Sequence, residues 1–205
     1  MYVPSHFEAD EALAARLSVR FAGIVITVDP EGAPVATHAP LLWDAGAKTA
    51  SGHIARANPQ WRFPSTRALV VLAGPEAYVS PSWCPSKAEH GKVVPTWNYE
   101  AVHLSGSITW FDDAERLRAL VSDLSAVHEN ARENPWRIED APRPYIDAML
   151  RGIVGFSMRA EAIESKRKLS QNKSAADFAG VAEGLAGTCV PASIEIAGLM
   201  RTLKS

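Results

Sequence analysis

The chain has 205 residues, a length that suits one large domain with a sizeable hydrophobic core. Its formal charge of -2 and its pI near 6.3 give no overall attraction to nucleic acid or to an anionic membrane. The 2 cysteines fit neither a zinc site nor a disulfide framework, and the N-terminus has no signal-peptide pattern, so we expect a cytoplasmic protein without a membrane segment.

The first half of the chain is typical of strands separated by turns. Asp29, Pro30 and Gly32 lie between two β-rich runs, which predicts an antiparallel hairpin. Pro40 lacks an amide proton for a strand ladder and therefore indicates an edge or a bulge in the second run. In chain order, the patterns predict a helix over residues 5–19, strands over residues 21–28, 35–43, 49–54, 68–73 and 77–80, and a proline-bounded loop over residues 81–95.

The segment after the third strand offers the best position for a phosphate group. Asn58 and Pro59 suit the N-cap and the first position of a short helix, and helix N-termini attract anions. Arg56 lies beside this turn, and Ser51 and His53 precede it on the strand. The alternative is a capped helical turn beside a solvated arginine.

A long strand over residues 94–111 combines an apolar face with a polar and aromatic one. Trp97, Tyr99 and His103 share the second face of a two-residue alternation, and Asn98 lies at its entry. Flat aromatic surface beside amide and hydroxyl groups suits a planar heteroaromatic ligand. The alternative is an ordinary antiparallel strand with one face in water.

The last part of the chain mixes helices with one more strand. The run KRKLSQNK over residues 166–173 holds four basic residues and no acid, which favours a solvated surface segment over a binding site. Ser174-x-x-Asp177 then caps a helix. The other predicted elements are a helix beginning near residue 112, an irregular connection over residues 129–144, a short helix over residues 145–150, a strand over residues 153–164 and a loosely attached terminal helix over residues 193–203.

Familiar catalytic motifs do not occur in the sequence. It contains no glycine-rich nucleotide loop, no HExxH and no GxSxG. His38, His53 and His103 fall on separate strands, where histidines are more often hydrogen-bonded than metal-bound, so we predict no metal site. Strands joined by turns favour a mainly antiparallel barrel with attached helices over a Rossmann sheet.

Five segments carry a family resemblance: GHIARANPQW, AYVSPSW, VPTWNYEAVHLSG, MLRGIVGF and KLSQNKS, in this order and spacing. With them the chain resembles the PaiB family, described as FMN-binding negative transcriptional regulators. The resemblance implies a mainly β fold, an antiparallel FMN-binding split barrel with helical insertions and a C-terminal helix, related in fold to pyridoxamine 5'-phosphate oxidase. It covers residues 1–185 as the split-barrel domain with its N-terminal helix and leaves residues 186–205 as a C-terminal extension.

The resemblance also implies a homodimer with FMN at the subunit interface. Flavin requires donors for its phosphate, an apolar and aromatic slot for its rings and hydrogen bonds to the ring edge. The predicted contacts are Ser51, His53, Arg56 and Asn58 for the phosphate, Trp97 and Tyr99 for the rings, Thr37, His38 and Asn98 for the ring edge, and Lys168, Ser170 and Gln171 for a phosphate reached from the partner subunit.

The resemblance leaves three functions open. The first is a flavin-dependent regulator of transcription, the second a flavin oxidoreductase of unknown substrate, and the third a haem-binding or haem-handling protein. The sequence shows no helix-turn-helix signature and no strongly basic face. We therefore expect any regulation to be indirect, or to need a DNA-binding or regulatory partner or a ligand.

Overall fold

The structure is a computed structural model that describes residues 1–203. Seven strands form one sheet and span Gly23–Val28 (β1), Pro34–Ala39 (β2), Leu41–Asp44 (β3), Thr49–Ala55 (β4), Arg67–Val79 (β5), Thr96–Phe111 (β6) and Ile153–Lys168 (β7). Their order across the sheet is β2-β1-β5-β6-β7-β4-β3, and every pairing with a described register is antiparallel. The predicted mainly β, antiparallel fold is confirmed.

Pro40 is the point at which the sheet closes. It is the single residue between β2 and β3, which are the two outer strands of the sheet order. Consecutive strands at opposite edges of a sheet require the sheet to curl round on itself, as in a barrel. The predicted run over residues 35–43 is therefore two strands, and the edge expected at Pro40 is confirmed by the outer positions of both strands. Gly52 of β4 faces this point, where a Cβ atom would lie 2.3 Å from the Pro40 carbonyl oxygen.

The hairpin between β1 and β2 follows the sequence prediction. The Asp29 side chain accepts hydrogen bonds from the backbone N–H of Glu31 at 3.0 Å and of Ala33 at 2.7 Å. Gly32 has a φ of 89°, a left-handed conformation that glycine adopts without steric cost. This turn aligns Gly23 with Ala39 and Val28 with Pro34.

β5 is one strand of 13 residues, whereas the sequence predicted two. Gly74 and Pro75 interrupt the β pattern in the sequence, and proline cannot donate to a ladder. β1 pairs only with Leu69, Val70 and Val71 of β5. Pro75 thus lies beyond this pairing, and its missing N–H removes no hydrogen bond to β1.

Within residues 1–203, six α-helices accompany the sheet: Ala12–Ser18 (α1), Ser86–His90 (α2), Ala114–Glu129 (α3), Arg143–Leu150 (α4), Ala175–Ala186 (α5) and Pro191–Thr202 (α6). The predicted helix over residues 5–19 is wrong as a single element. It is divided because Glu8 forms a β-bridge with Lys166, and the Ala9 N–H donates to the Ser165 carbonyl at 3.1 Å. No helix in the described part of the chain combines the length and apolar character that a membrane crossing requires.

The chain divides into two compact units. One, called the barrel unit, contains residues 11–72 and 102–163; the other, called the helical unit, contains residues 1–10, 73–101 and 164–205. The long strands β5, β6 and β7 contribute residues to both units.

The barrel unit has its core inside the curled sheet. Its fully buried side chains include Val25, Leu72, Leu104, Phe156 and Met158. A second cluster joins α3 and α4 and contains Leu117, Ile138, Ile146 and Leu150. Ile138 belongs to a short 3₁₀ turn, Ile138–Asp140, inside the connection that the sequence predicted to be irregular.

The helical unit is built around α5 and α6. The Ser174 side chain accepts a hydrogen bond from the Asp177 N–H at 3.2 Å, which confirms the predicted cap of α5. Ile196, Ala197 and Met200 of α6 are 0% exposed and belong to the same buried cluster as residues of α5. The expectation of a loosely attached terminal helix was wrong because these apolar residues recur at helical spacing and pack against α5.

Candidate functional site

β4 places two of the predicted site residues on one face. Ser51 and His53 alternate with the buried Ala50, Gly52 and Ile54, so both side chains are half-buried on the same side of the strand. Burial lowers the pKa of His53 below its ordinary value of 6.5, because the charged imidazolium loses hydration there. His53 therefore serves near neutral pH as an uncharged donor or acceptor.

The turn after β4 joins Asn58 to Thr37. A 3₁₀ turn, Pro59–Arg62, follows Asn58, whose side-chain oxygen accepts from the Gln60 N–H at 3.0 Å. Its Nδ2 donates to the Thr37 hydroxyl at 2.8 Å. The predicted cap is confirmed, and two residues that the sequence assigned to different parts of one ligand are in direct contact.

Gln60 holds this turn to the barrel, a role that the sequence did not indicate. Its side chain is 0% exposed, and Nε2 lies 3.1 Å from the Val25 carbonyl, 3.1 Å from the Thr27 hydroxyl and 3.2 Å from the Val35 carbonyl. A glutamine next to a capping pair was the only local signal. Its three acceptors belong to β1 and β2, far from Gln60 in the sequence.

Arg56 is fixed beside the turn by several contacts. Its guanidinium donates to the Arg151 carbonyl at 2.8 Å and the Ile153 carbonyl at 3.2 Å, and it pairs with Asp112 at 3.2 Å. The Trp61 ring lies 5.8 Å from the guanidinium. Arg56 remains 34% exposed, so an anion can reach it, but the anion competes with Asp112 for the charge.

Two cavities of the barrel unit meet at Asp112. The first cavity has a volume of about 240 Å³, and its lining includes Arg56, Leu117 and Leu150. The second has a volume of about 270 Å³ and is lined by Trp61, Trp110, Phe111 and Val154. Asp112 lines both cavities. The Trp110 indole nitrogen is buried and lacks a hydrogen-bond partner within the described residues. A cavity lined by aromatic side chains suits the flat face of a ring ligand.

The remaining predicted residues of the barrel unit are more scattered. His38 is exposed on β2, where it pairs with Ile24 of β1. His103 is half-buried on β6. Within residues 1–203, no three His, Cys, Asp or Glu side chains lie together in a way that would hold a metal ion.

The predicted aromatic face is present in the helical unit. Trp97 is 50% exposed and forms an edge-to-face pair with Tyr78, which is 47% exposed, with ring centroids 6.0 Å apart. The ammonium groups of Lys166 and Lys168 lie 5.4 Å and 5.9 Å from the centre of the Tyr99 ring. Aromatic rings and cations thus share one surface.

The sequence predicted that Asn98 lies at the entry of that face, and this prediction was wrong. Asn98 is 0% exposed on the opposite side of β6. Its side-chain oxygen accepts from the Ser170 hydroxyl at 3.1 Å, and Nδ2 lies 3.5 Å from the Met200 sulfur. The strand alternation continues through Asn98, and residues distant in the sequence bury it.

The basic run over residues 166–173 begins within β7 and belongs to the helical unit, so the expectation of a solvated segment was wrong. Lys166, Leu169 and Ser170 are buried. Lys168 donates from Nζ to the Thr96 hydroxyl at 2.5 Å and the Trp97 carbonyl at 2.6 Å. The Gln171 side chain accepts from the Leu169 N–H at 2.7 Å and donates to the Arg167 carbonyl at 2.6 Å.

Comparison with known proteins shows the family of the chain. A family model described as a putative FMN-binding domain matches residues 1–162. The protease synthase and sporulation protein PAI 2 of Bacillus subtilis is 34% identical over 206 residues, covering 98% of this chain and 96% of that protein. An uncharacterised protein of Aspergillus fumigatus is 36% identical over 170 residues, covering 66% of this chain and 65% of that protein.

Solved structures confirm the predicted split-barrel fold. An FAD and haem binding protein from Mycobacterium smegmatis has a TM-score of 0.58 at 16% identity, covering 91% of this chain and 94% of that one. The flavocytochrome Anf3 from Azotobacter vinelandii has a TM-score of 0.56 at 11% identity, covering 84% and 73%. At these identities the likeness concerns the fold alone.

Proposed function

The chain belongs to the PaiB family of proteins with an FMN-binding domain, and from that premise we propose that it is a flavin-dependent regulator of transcription. FMN is its cofactor. The observation that carries the proposal is the match to PAI 2, a relative named for protease synthesis and sporulation, across 98% of this chain.

The residues of the barrel unit fit an FMN phosphate. Asn58 and Thr37 bring an amide and a hydroxyl together at 2.8 Å, and Arg56 supplies a partly exposed cation beside the same turn. Cations and neutral donors together are the usual partners of a phosphate group. We propose that this group, with Ser51 and His53 on β4, holds the phosphate.

The flavin rings require apolar surface with some donors. The cavity lined by Trp61, Trp110 and Phe111 supplies such apolar surface within the barrel unit. His38 is proposed as a polar contact at the ring edge, and the ring contacts of Trp97 and Tyr99 stay predictions from the sequence. When bound, FMN supplies reversible redox chemistry, and the side chains around it set its orientation and its access to water.

A homodimer is the second part of the proposal. Tyr78 and Trp97 form an exposed aromatic pair in the helical unit, and such surface is usually covered by a partner. A second copy covers it with a self-complementary patch of about 800 Å² per subunit.

We propose that regulation is indirect because the formal charge of -2 gives no general attraction to DNA. The purified protein is expected to show no tight, sequence-selective binding to a promoter at physiological salt. Tight selective binding of the protein alone would contradict indirect action.

The regulatory role itself is tested in the source organism. Transcripts are compared between a strain without the protein and strains carrying the wild-type chain, Arg56→Ala or Arg67→Ala. Arg67 is a matched control, since it is an exposed arginine of the barrel unit that pairs with Glu161. The proposal predicts that the Arg56→Ala strain shows the same transcript changes as the deletion strain, whereas the Arg67→Ala strain matches the wild type. Unchanged transcripts in the deletion strain would exclude a regulatory role.

A further inference from the structure

One cavity of the helical unit lies at the start of β6. It measures about 430 Å³, and its lining comes from α2 and the residues after it, from β6, and from the segment between β7 and α5. Sites for small molecules usually begin at about 300 Å³. All the lining residues belong to the helical unit.

The cavity is cationic. Its lining contains three lysines, Lys92, Lys168 and Lys173, and one carboxylate, Asp177. With the single histidine neutral, the lining therefore carries a net charge of +2. The Asp177 carboxylate is engaged by the Ser86 N–H at 3.1 Å and the Ser86 hydroxyl at 2.7 Å. The negative charge of Asp177 is therefore shared with neutral donors. The lining has three lysines and this one carboxylate, so the lysines outnumber the acidic groups that could balance them there.

Lys168 shows the effect of this crowding. Its pKa is lowered chiefly by burial, with further contributions from Lys166 and Lys173. A bound anion reverses both effects, because it offsets the lost hydration and the repulsion between the ammonium groups. The contacts of the Lys168 ammonium group with Thr96 and Trp97 use two of its three protons.

The floor of the cavity is held in place by a strained residue. Ser170 has a φ of 65°, a left-handed conformation that residues other than glycine seldom adopt. It is 2% exposed, and its hydroxyl donates to Asn98, which is itself 0% exposed. The amide of Asn98 has only the Met200 sulfur as a described acceptor, and sulfur is a weak one. Backbone strain maintained by buried polar contacts is typical of binding sites.

We propose that this cavity binds a small phosphate-type oxyanion with more than one negative charge, as a ligand separate from FMN. Lys92, Lys168 and Lys173 supply the charge, and Thr96 and Ser174 supply hydroxyl groups. Ser174 is the N-cap of the 12-residue helix α5, and the positive end of the helix dipole adds to the same field. None of the described lining residues is Trp, Tyr or Phe, so the cavity offers no aromatic slot for a flavin ring.

The test uses the full chain with inorganic pyrophosphate as the probe, titrated by calorimetry at fixed ionic strength. Lys173→Ala removes one cation of the lining, and Lys87→Ala is the matched control, since Lys87 lies on α2 outside the lining and contacts Ser82. We expect saturable binding that Lys173→Ala weakens by about tenfold or more and Lys87→Ala leaves unchanged. Absence of saturable binding, or equal loss in both variants, would overturn the proposal.

FMN and citrate titrations separate the alternatives. The proposal predicts that FMN does not displace pyrophosphate and that Lys173→Ala binds FMN like the wild type. Displacement would place the cavity in the flavin site, in agreement with the sequence-based prediction for Lys168, Ser170 and Gln171. Citrate binding more tightly than pyrophosphate would replace the phosphate class with polycarboxylates. Loss of FMN binding in the wild type, with pyrophosphate binding intact, would refute the proposed function and leave this site standing.

Discussion

Asn58 donates a hydrogen bond from Nδ2 to the Thr37 hydroxyl across 2.8 Å, which joins the turn after β4 to β2. The same asparagine accepts the Gln60 N–H through its side-chain oxygen. Both ends of the amide are therefore fixed, and with Arg56 nearby the turn presents a preorganised set of donors. A ligand that binds there does not have to order the turn first.

Arg56→Ala is expected to weaken FMN binding by about tenfold to a hundredfold, because a charge-assisted contact contributes about 1.5 to 3 kcal/mol. Fluorescence titration measures the change. Riboflavin lacks the phosphate, so its affinity should not change and it controls for indirect damage to the barrel. Unchanged FMN affinity in a folded Arg56→Ala protein would refute the phosphate assignment.

Gln60→Leu is expected to lower the free energy of unfolding by about 1 to 3 kcal/mol, the usual cost of leaving buried polar groups without partners. Leucine has a similar size but cannot donate to the carbonyls of Val25 and Val35. Urea denaturation measures the difference. A variant as stable as the wild type would show that Gln60 does not anchor the turn.

His53 should make the fold sensitive to acid. Burial lowers its pKa in the folded state below 6.5, so the unfolded chain binds the proton first as pH falls. Uncharged His53 therefore costs the folded state no stability above about pH 6.5. Below that value the folded state loses stability progressively, because the unfolded chain takes up the proton more readily.

Thermal melts of the wild type and two variants test this effect between about pH 5 and pH 8, the range over which histidine titrates. His53→Gln should flatten the pH dependence relative to the wild type. His38→Gln, at an exposed position of the same barrel unit, serves as the control. Equal pH dependence in the wild type and His53→Gln would contradict the role of His53.

Trp97→Glu is expected to convert a dimer into a monomer, because it places a charge within the exposed aromatic pair with Tyr78. Sedimentation at micromolar concentration gives the mass of each form. Trp136→Glu is the matched control, since Trp136 is also an exposed tryptophan, 41% accessible, but belongs to the barrel unit. A wild-type monomer that binds one FMN per chain would refute an interface-shared site.

Local patterns in the sequence were sufficient for much of the fold. The alternation of Val102, Leu104 and Ile108 identified the buried face of β6, and all three are at most 2% exposed. Asn58 and Ser174 cap the elements that they were predicted to cap, since capping depends on residues within one turn.

The failures concern contacts between residues far apart in the chain. Asn98 is buried by Ser170 and Met200, which no strand alternation identifies. Lys166 has a basic neighbourhood typical of solvent exposure, but its ammonium group donates to the Tyr2 carbonyl at 3.0 Å. Gln60 was missed for the same reason, because its partners on β1 and β2 come together with it only in the folded barrel.

FMN binding is tested by the absorption spectrum of the protein purified without added cofactor, followed by titration with FMN. We expect flavin absorption in the purified protein or, after removal of the flavin, saturable uptake of one FMN per chain. Riboflavin should bind more weakly, because it lacks the phosphate that we propose Arg56 and Asn58 to hold. Absence of saturable FMN binding, or a Soret band on addition of haem without FMN binding, would exclude FMN as the cofactor.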